Sequence, residues 1–163
     1  MNNDITYEQD GIVFNYRVAI VIRNGKKILV QKDDRAQHLT LPGGRCSLGE
    51  SSVATAIREF KEETGIDTKF KNGVGIIENF FTSSFTEKKF HEILMINELE
   101  FLDDVLYKKE IINNIEEKKD KFKHLKYVWI NVDELKKLIF NPIQILDMLD
   151  KNEFQHIIND KNE

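Results

Sequence analysis

The clearest hydrophobic pattern in the chain lies between residues 51 and 66. Apolar side chains recur there at helical spacing and share one face with Thr64: Val53, Ala56, Ile57 and Phe60. This pattern predicts an α-helix over residues 51–64 whose apolar stripe packs on a core. Ser51 or Ser52 is expected to cap its start. Gly65 is expected to end it, because glycine tolerates the positive φ of helix C-caps.

β-Strand patterns, rich in β-branched and aromatic residues, surround this helix. The predicted strands are residues 11–22, 27–31, 39–41, 73–81, 90–101 and 127–132. An Asn24-Gly25 pair predicts a hairpin between the first two strands. After the last strand, Asp133 and Pro142 are expected to start helices, and the tail after Pro142 is predicted to be a helix packed on the sheet. This order predicts an α/β fold with a curved mixed sheet between helices.

Two segments carry weaker patterns. Residues 1–10 are expected to form a loose arm or an edge segment, and residues 103–126 a charged excursion or a short helix. No proline- or glycine-rich linker divides the chain of 163 residues, which is long enough for one hydrophobic core. The sequence therefore predicts a single domain over residues 1–163.

Composition and charge narrow the function. The net charge of −4 and pI near 5.7 argue against a DNA-binding protein, which normally carries a basic face. Phosphate-bearing small substrates stay compatible with this charge, because metal ions can supply the positive charge. Cys46 is the single cysteine, so no internal disulfide forms. With a polar start and no apolar run of about 20 residues, the chain is predicted to be cytoplasmic and not membrane-bound.

An acidic cluster stands on the predicted helix, opposite its apolar stripe. Glu59, Glu62 and Glu63 are spaced i, i+3 and i+4, so their charges repel by a few tenths of a kcal/mol per pair, roughly. They also lie in the last turns, where the helix dipole disfavours anions. Carboxylates are the ligands that Mg²⁺ prefers, so the cluster predicts a bound divalent cation. An ordinary solvated acidic face is the alternative.

The same segment matches a longer pattern. From Gly44 it continues with five residues, Glu50, seven residues, Arg58-Glu59, Phe60, one residue, Glu62-Glu63, one residue, Gly65 and Ile66. This pattern resembles the Nudix box, the signature of the Nudix hydrolases, without departure at any fixed position. The segment YVWINVDEL at 127–135 also looks like the late strand and helix of that family. The resemblance implies a Nudix-type α/β/α sandwich.

The resemblance further implies hydrolysis of a phosphoanhydride bond in a nucleoside diphosphate linked to another group. Water attacks phosphorus, and Mg²⁺ or Mn²⁺ neutralises the phosphates and activates the water. The implied metal ligands are Glu59, Glu62, Glu63 and the carbonyl of Gly43. Arg58 is implied to hold a helix glutamate in place. Glu50 would support the loop–helix junction or reach a metal through water, and Arg45 would touch a substrate phosphate or form a surface salt bridge.

The general base stays open between two sets of residues. It is either a helix glutamate, Glu59 or Glu62, or a glutamate from a later strand: Glu78, Glu92, Glu98 or Glu100. Of the later ones, Glu78 and Glu92 interrupt apolar strands and need solvent or a partner there. The phenylalanines of this region are expected to pack in the core rather than stack on a base: Phe80, Phe81, Phe85 and Phe90.

Several functions remain compatible with the resemblance. The substrate is expected to be a small nucleotide derivative, with ADP-ribose or a nucleotide sugar among the alternatives. A non-catalytic nucleotide sensor on the same fold is a further alternative, although such proteins usually lose box glutamates. Isopentenyl diphosphate isomerases use a similar scaffold with an added cysteine and an altered box, which this chain does not show. A homodimer is possible.

Overall fold

The computed structural model describes residues 3–34, 37–113 and 125–160. Its strands are, in chain order, β1 (Thr6–Gln9), β2 (Ile12–Val21), β3 (Arg23–Asn24), β4 (Lys27–Asp33), β5 (Leu39–Thr40), β6 (Gly43–Arg45), β7 (Thr68–Thr82), β8 (Lys89–Phe101), β9 (Ile111–Asn113), β10 (Leu125–Asn131) and β11 (Gln155–Asp160). Its helices are α1 (Ser52–Thr64), a 3₁₀ helix (Asp104–Lys108), α2 (Val132–Leu135) and α3 (Gln144–Met148).

The strands form two sheets. The larger has the order β1-β2-β8-β7-β11, with β6 also paired to β2. It is mixed, because β2–β8 and β7–β11 are parallel whereas the other pairs are antiparallel. The smaller sheet is antiparallel, with the order β3-β4-β10-β9 and β5 paired to β4.

Helices cover both faces of the mixed sheet. Successive side chains of a strand point to opposite faces, and β2 follows this rule. Val18 and Ile20 pack in one core cluster with Phe60 of α1. Ala19 and Val21 pack in the other with the buried residues of α3. The mixed α/β fold predicted from the sequence is confirmed.

Helix α1 has the predicted ends. The backbone N–H of Ala54 donates to Ser51 Oγ at 3.1 Å, so Ser51 is the N-cap. Gly65 ends the helix with φ 76°, in the left-handed region. No helix in the described ranges is long and apolar enough to cross a membrane.

The C-terminal prediction is wrong in one respect. The tail contains the two short helices α2 and α3, but residues after them form strand β11, which pairs in parallel with β7. The cause is this pairing with β7, and burial then alternates with a period of two: Gln155, Ile157 and Asn159 are more buried than the residues between them. At the other end, residues 1–10 contain the edge strand β1. Of the predicted excursion, residues 114–124 lie outside the described residues.

Candidate active site

Two adjacent glycines bring strand β6 into contact with both β2 and α1. A Cβ atom on Gly43 would overlap the backbone carbonyl of Val18, across the β2–β6 pairing. A Cβ atom on Gly44 would overlap the carboxylate of Glu59. Glycine is therefore required at position 43, where the obstacle is backbone, whereas at position 44 a side chain would displace the Glu59 carboxylate. The second contact places the Glu59 carboxylate directly on the Gly44 backbone.

Replacing Gly44 with alanine is expected to lower kcat about tenfold with little change in Tm, because the new methyl group displaces the Glu59 carboxylate. That carboxylate ends a flexible side chain, so it can move without disturbing the backbone. Gly73→Ala is the matched control, because its Cβ would meet only Phe154, at an ordinary 3.4 Å. Steady-state kinetics and thermal unfolding of both variants test this. Equal activity of Gly44→Ala and Gly73→Ala would contradict it.

Arg58 connects three carboxylates around the start and middle of α1. Its Nε and Nη2 each donate to Glu50 at 2.9 Å, its Nη1 donates to Glu59 Oε1 at 2.7 Å, and Glu62 Oε2 lies 3.4 Å from the same nitrogen. Glu50 also accepts from the Thr55 hydroxyl at 2.8 Å. The hydrogen bonds from Arg58 lower the pKa of Glu50, although burial opposes them. Arg58 thereby joins the loop before α1 to the helix.

Glu63 differs from the other two glutamates of the cluster because it is buried. Its residue is 6% exposed, and the Tyr127 hydroxyl of β10 donates to Glu63 Oε2 at 2.9 Å. Burial raises the pKa of Glu63 to about 7, the Tyr127 hydrogen bond opposes the rise, and the charge of Glu59 adds to it. Burial also raises the pKa of Glu59, against the effect of Arg58. Glu62 is exposed.

The three glutamates of α1 are of a residue type that binds hard divalent cations. Glu59, Glu62 and Glu63 are electrostatically coupled, since the charges of the first two each raise the pKa of Glu63. Carboxylate oxygens in such a cluster suit Mg²⁺. Among the residues that the structure describes, however, no three Asp, Glu, His or Cys side chains are positioned to hold a metal ion as they stand. Arg58 and Tyr127 hold two of the three carboxylates instead.

A cavity of about 710 Å³ opens beside strand β6. Gly43 lines it, together with residues of β2, β7, β8 and β11 on the face of the mixed sheet that α3 covers. Small-molecule sites commonly have this size. Gly43 and Gly44 are consecutive residues of β6, so this strand borders the cavity through Gly43 and contacts the acidic helix through Gly44.

Only one of the four strand glutamates that are candidates for the general base lies at the cavity. Glu92 lines it. The others have partners elsewhere: Glu78 lies 2.7 Å from His156, Glu98 lies 3.3 Å from Arg23 and 3.1 Å from Lys71, and Glu100 lies 3.0 Å from Lys69. Arg45 is exposed, with a guanidinium nitrogen 3.9 Å from Asp4. It is not among the residues that line the cavity.

Sequence reasoning missed several residues of this region. Arg17 lines the cavity with Nη1 4.0 Å from Glu92 Oε2, and its Nε is buried without a hydrogen-bond partner in the described structure. A charge inside an otherwise apolar strand was the available signal. Phe85 also lines the cavity and is 82% exposed, so the expectation that it packs in the core is wrong. Tyr127 gave no local signal, because its partner Glu63 lies on a distant helix.

The acidic helix α1 lies against strand β6, and the same strand borders the cavity, on a mixed α/β scaffold. The sequence model of the NUDIX domain matches residues 13–149. The chain therefore belongs to the Nudix family, whose members hydrolyse pyrophosphate bonds in small nucleotide substrates, generally with a divalent metal ion. The resemblance and the hydrolase class inferred from the sequence are confirmed.

Solved structures are similar in fold. An ADP-ribose pyrophosphatase from Streptococcus suis is 16% identical with a TM-score of 0.58, covering 89% of this chain and 98% of its own. A Nudix hydrolase from Nitrosomonas europaea is 17% identical with a TM-score of 0.61, covering 95% and 82%. A MutT protein from Methanosarcina mazei is 22% identical with a TM-score of 0.56, covering 84% and 91%. No curated protein matches the chain in sequence.

Proposed function

We propose that the protein is a Mg²⁺-dependent pyrophosphohydrolase of a nucleoside diphosphate linked to another group. The observation that carries this proposal is strand β6, where Gly43 lines a cavity of nucleotide size and the next residue, Gly44, contacts the Glu59 carboxylate of α1. A nucleotide whose base enters the cavity would extend its phosphates toward Glu59 and its neighbours. Mn²⁺ is expected to replace Mg²⁺, because both are hard cations that favour oxygen ligands.

Each residue of the cluster has a proposed part. Glu59, Glu62, Glu63 and the carbonyl of Gly43 hold the divalent ion, which when bound neutralises the phosphates and activates water. Arg58 positions Glu59 and, through Glu50, fixes the loop before the helix. Glu62 is the exposed carboxylate of the cluster and is assigned to accept the proton of the attacking water. Arg17 lines the cavity, and its charge opposes the rise that burial causes in the pKa of Glu63, so it is suited to bind a phosphate between the cavity and the cluster.

The residue set bears on the alternatives. A non-catalytic sensor is disfavoured, because all three glutamates of the cluster and the clamping Arg58 are in place. ADP-ribose or a nucleotide sugar stays a candidate substrate, and one structural neighbour is called an ADP-ribose pyrophosphatase. A cytoplasmic location suits the buried thiol of Cys46, whose pKa is raised by burial and which a reducing compartment leaves unmodified. A homodimer remains part of the proposal, to be checked by light scattering.

A hydrolysis screen, read by chromatographic separation of the nucleotide products, tests the proposed function. Purified protein with Mg²⁺ or Mn²⁺ is incubated with nucleoside triphosphates, ADP-ribose, nucleotide sugars and dinucleoside polyphosphates, each with and without EDTA. We expect turnover of one substrate class, abolished by EDTA and restored by excess Mg²⁺. Metal binding without turnover of any substrate would contradict the enzymatic proposal and favour the sensor.

A further inference from the structure

Five strands of the mixed sheet carry a polar side chain at one shared position. The register aligns, from β1 to β11, Thr6, Asn15, Glu92, Asn79 and Asn159. Side chains in register on neighbouring strands project from the same face. They therefore form a continuous polar row across a sheet whose cores are otherwise apolar. Burying so many polar groups costs free energy unless each finds a partner.

Three members of this polar row line the cavity: Glu92, Asn79 and Asn159. They are buried, with 6%, 8% and 8% exposure. Asn79 Nδ2 donates to Glu92 Oε1 at 3.4 Å, and Asn159 Nδ2 donates to Asn79 Oδ1 at 2.6 Å. Behind them, Gln144 Nε2 of α3 donates to Asn159 Oδ1 at 2.7 Å. Because Glu92 accepts from Asn79 and Asn79 accepts from Asn159, the orientations of both amides are fixed along the row.

This fixed orientation determines what the row offers to a ligand. Each amide nitrogen has two hydrogens, and the bonds just described use one of them. Asn159 and Asn79 can therefore each donate one further hydrogen bond, and Glu92 can accept through its carboxylate oxygens. From β11 to β8 the wall of the cavity presents donor, donor and acceptor.

The edge of guanine complements this order. Guanine has two acceptors, N7 and O6, followed by two donors, N1–H and the 2-amino group. Adenine has a 6-amino donor next to N7, so this donor would face the second donor of the wall and no hydrogen bond could form there. Cytosine has two acceptors and one donor, but its edge is short. The outer two side chains, Asn159 and Glu92, arise from strands two spacings apart, about 9.6 Å, and the longer guanine edge spans more of this distance.

We propose that Asn159, Asn79 and Glu92 select guanine nucleotides in this cavity, with Glu92 accepting from N1–H and the 2-amino group. Phe85, exposed on the same cavity, supplies an aromatic face for the base. The inference rests on the proposed function for the reaction that follows binding, but base selection itself needs neither metal nor turnover.

Calorimetric titration of the metal-free protein with nucleoside monophosphates tests base selection without hydrolysis. We expect GMP to bind at least about tenfold more tightly than AMP. We also expect IMP, which lacks the 2-amino group, to bind about tenfold more weakly than GMP. No measurable binding of GMP, equal affinity for GMP and AMP, or tightest binding of CMP would each overturn the proposal.

The variant Glu92→Gln isolates the carboxylate, because glutamine has nearly the same shape and keeps an oxygen for Asn79, while its amide nitrogen replaces the oxygen that accepts from the 2-amino group. We expect its GMP-to-IMP affinity ratio to fall to about one, while thermal unfolding shows that the fold is retained. Glu8→Gln is the matched control, since Glu8 lies on the same sheet in an exposed pair with Lys88 and is expected to keep the wild-type ratio. A wild-type ratio in Glu92→Gln would overturn the assignment of Glu92.

The two proposals fail separately. Selective binding of GMP with no turnover of any guanine nucleotide in the presence of Mg²⁺ would support base selection and contradict the proposed function. Turnover of many nucleotides with equal affinity for all four bases would support the proposed function and overturn base selection.

Discussion

Replacing Glu63 with glutamine is expected to lower kcat roughly 1,000-fold while making the metal-free protein more stable. Activity falls because the buried carboxylate, an expected metal ligand, loses its charge. Stability rises because that charge is costly in its buried site: Glu63 is 6% exposed, and burial raises its pKa to about 7. Glutamine keeps an oxygen for the Tyr127 hydroxyl without the charge.

The direction of the pH dependence follows from the raised pKa. The pKa of Glu63 is near 4.5 in the unfolded chain and about 7 in the folded chain. The loss of stability caused by the buried charge is therefore absent below pH 4.5 and complete above pH 7. At pH 8 we expect the free energy of unfolding of metal-free Glu63→Gln to exceed that of the wild type by about 2 to 3 kcal/mol. This corresponds to a rise in Tm of roughly 5 to 10 °C. At pH 4.5 the two should unfold alike.

Thermal unfolding of both proteins from pH 4.5 to 8, in EDTA and in Mg²⁺, measures this. Mg²⁺ should raise the Tm of the wild type more than that of the variant, because ligands that bind only the folded state stabilise it. Glu62→Gln is the control for stability, since it removes the same charge from a side chain that is 55% exposed. An equal gain in Glu62→Gln, or no gain in Glu63→Gln, would contradict the account.

The sequence predicted the parts of the fold whose determinants are local. Helix α1 is specified within its own residues, by the apolar period, the Ser51 cap and Gly65. The sequence did not predict strand β11, because this segment is a strand only through its pairing with β7, which begins at Thr68, far away in sequence. Short alternating segments with few apolar residues give little signal of their own, and a partner strand decides their conformation.

The same distinction holds in the candidate site. Arg58, Glu59 and Glu50 contact one another through one helix and its preceding loop, so the box predicts their proximity. The contact of Glu63 with Tyr127 and the row of Asn79 and Asn159 depend on sheet register. Register between strands far apart in sequence is set by packing over the whole sheet, and a single sequence does not display it.

Arg58→Ala is expected to cost about 2 kcal/mol of unfolding free energy and to lower kcat roughly 100-fold. Without the guanidinium, Glu50 and Glu59 lose their hydrogen bonds to Arg58, so like charges face one another without compensation. Arg58→Lys should restore little of either loss, because a single ammonium cannot donate to both oxygens of Glu50 and reach Glu59.

Urea unfolding and steady-state kinetics of a small variant set separate the structural and catalytic parts. Lys61→Ala is the matched control on the same helix, because its ion pair with Asp67 is exposed and is expected to contribute less than about 1 kcal/mol. Arg58→Ala combined with Glu50→Gln should recover part of the stability, because the unpaired Glu50 charge is gone. It should not recover kcat, because Glu59 still lacks its hydrogen bond from Arg58.

If Arg58→Ala has the same unfolding free energy and the same kcat as Lys61→Ala, Arg58 has neither the structural nor the catalytic role assigned to it. If the double variant recovers kcat with stability, Arg58 acts only through the loop that carries Glu50, and Glu59 is positioned by its contact with Gly44.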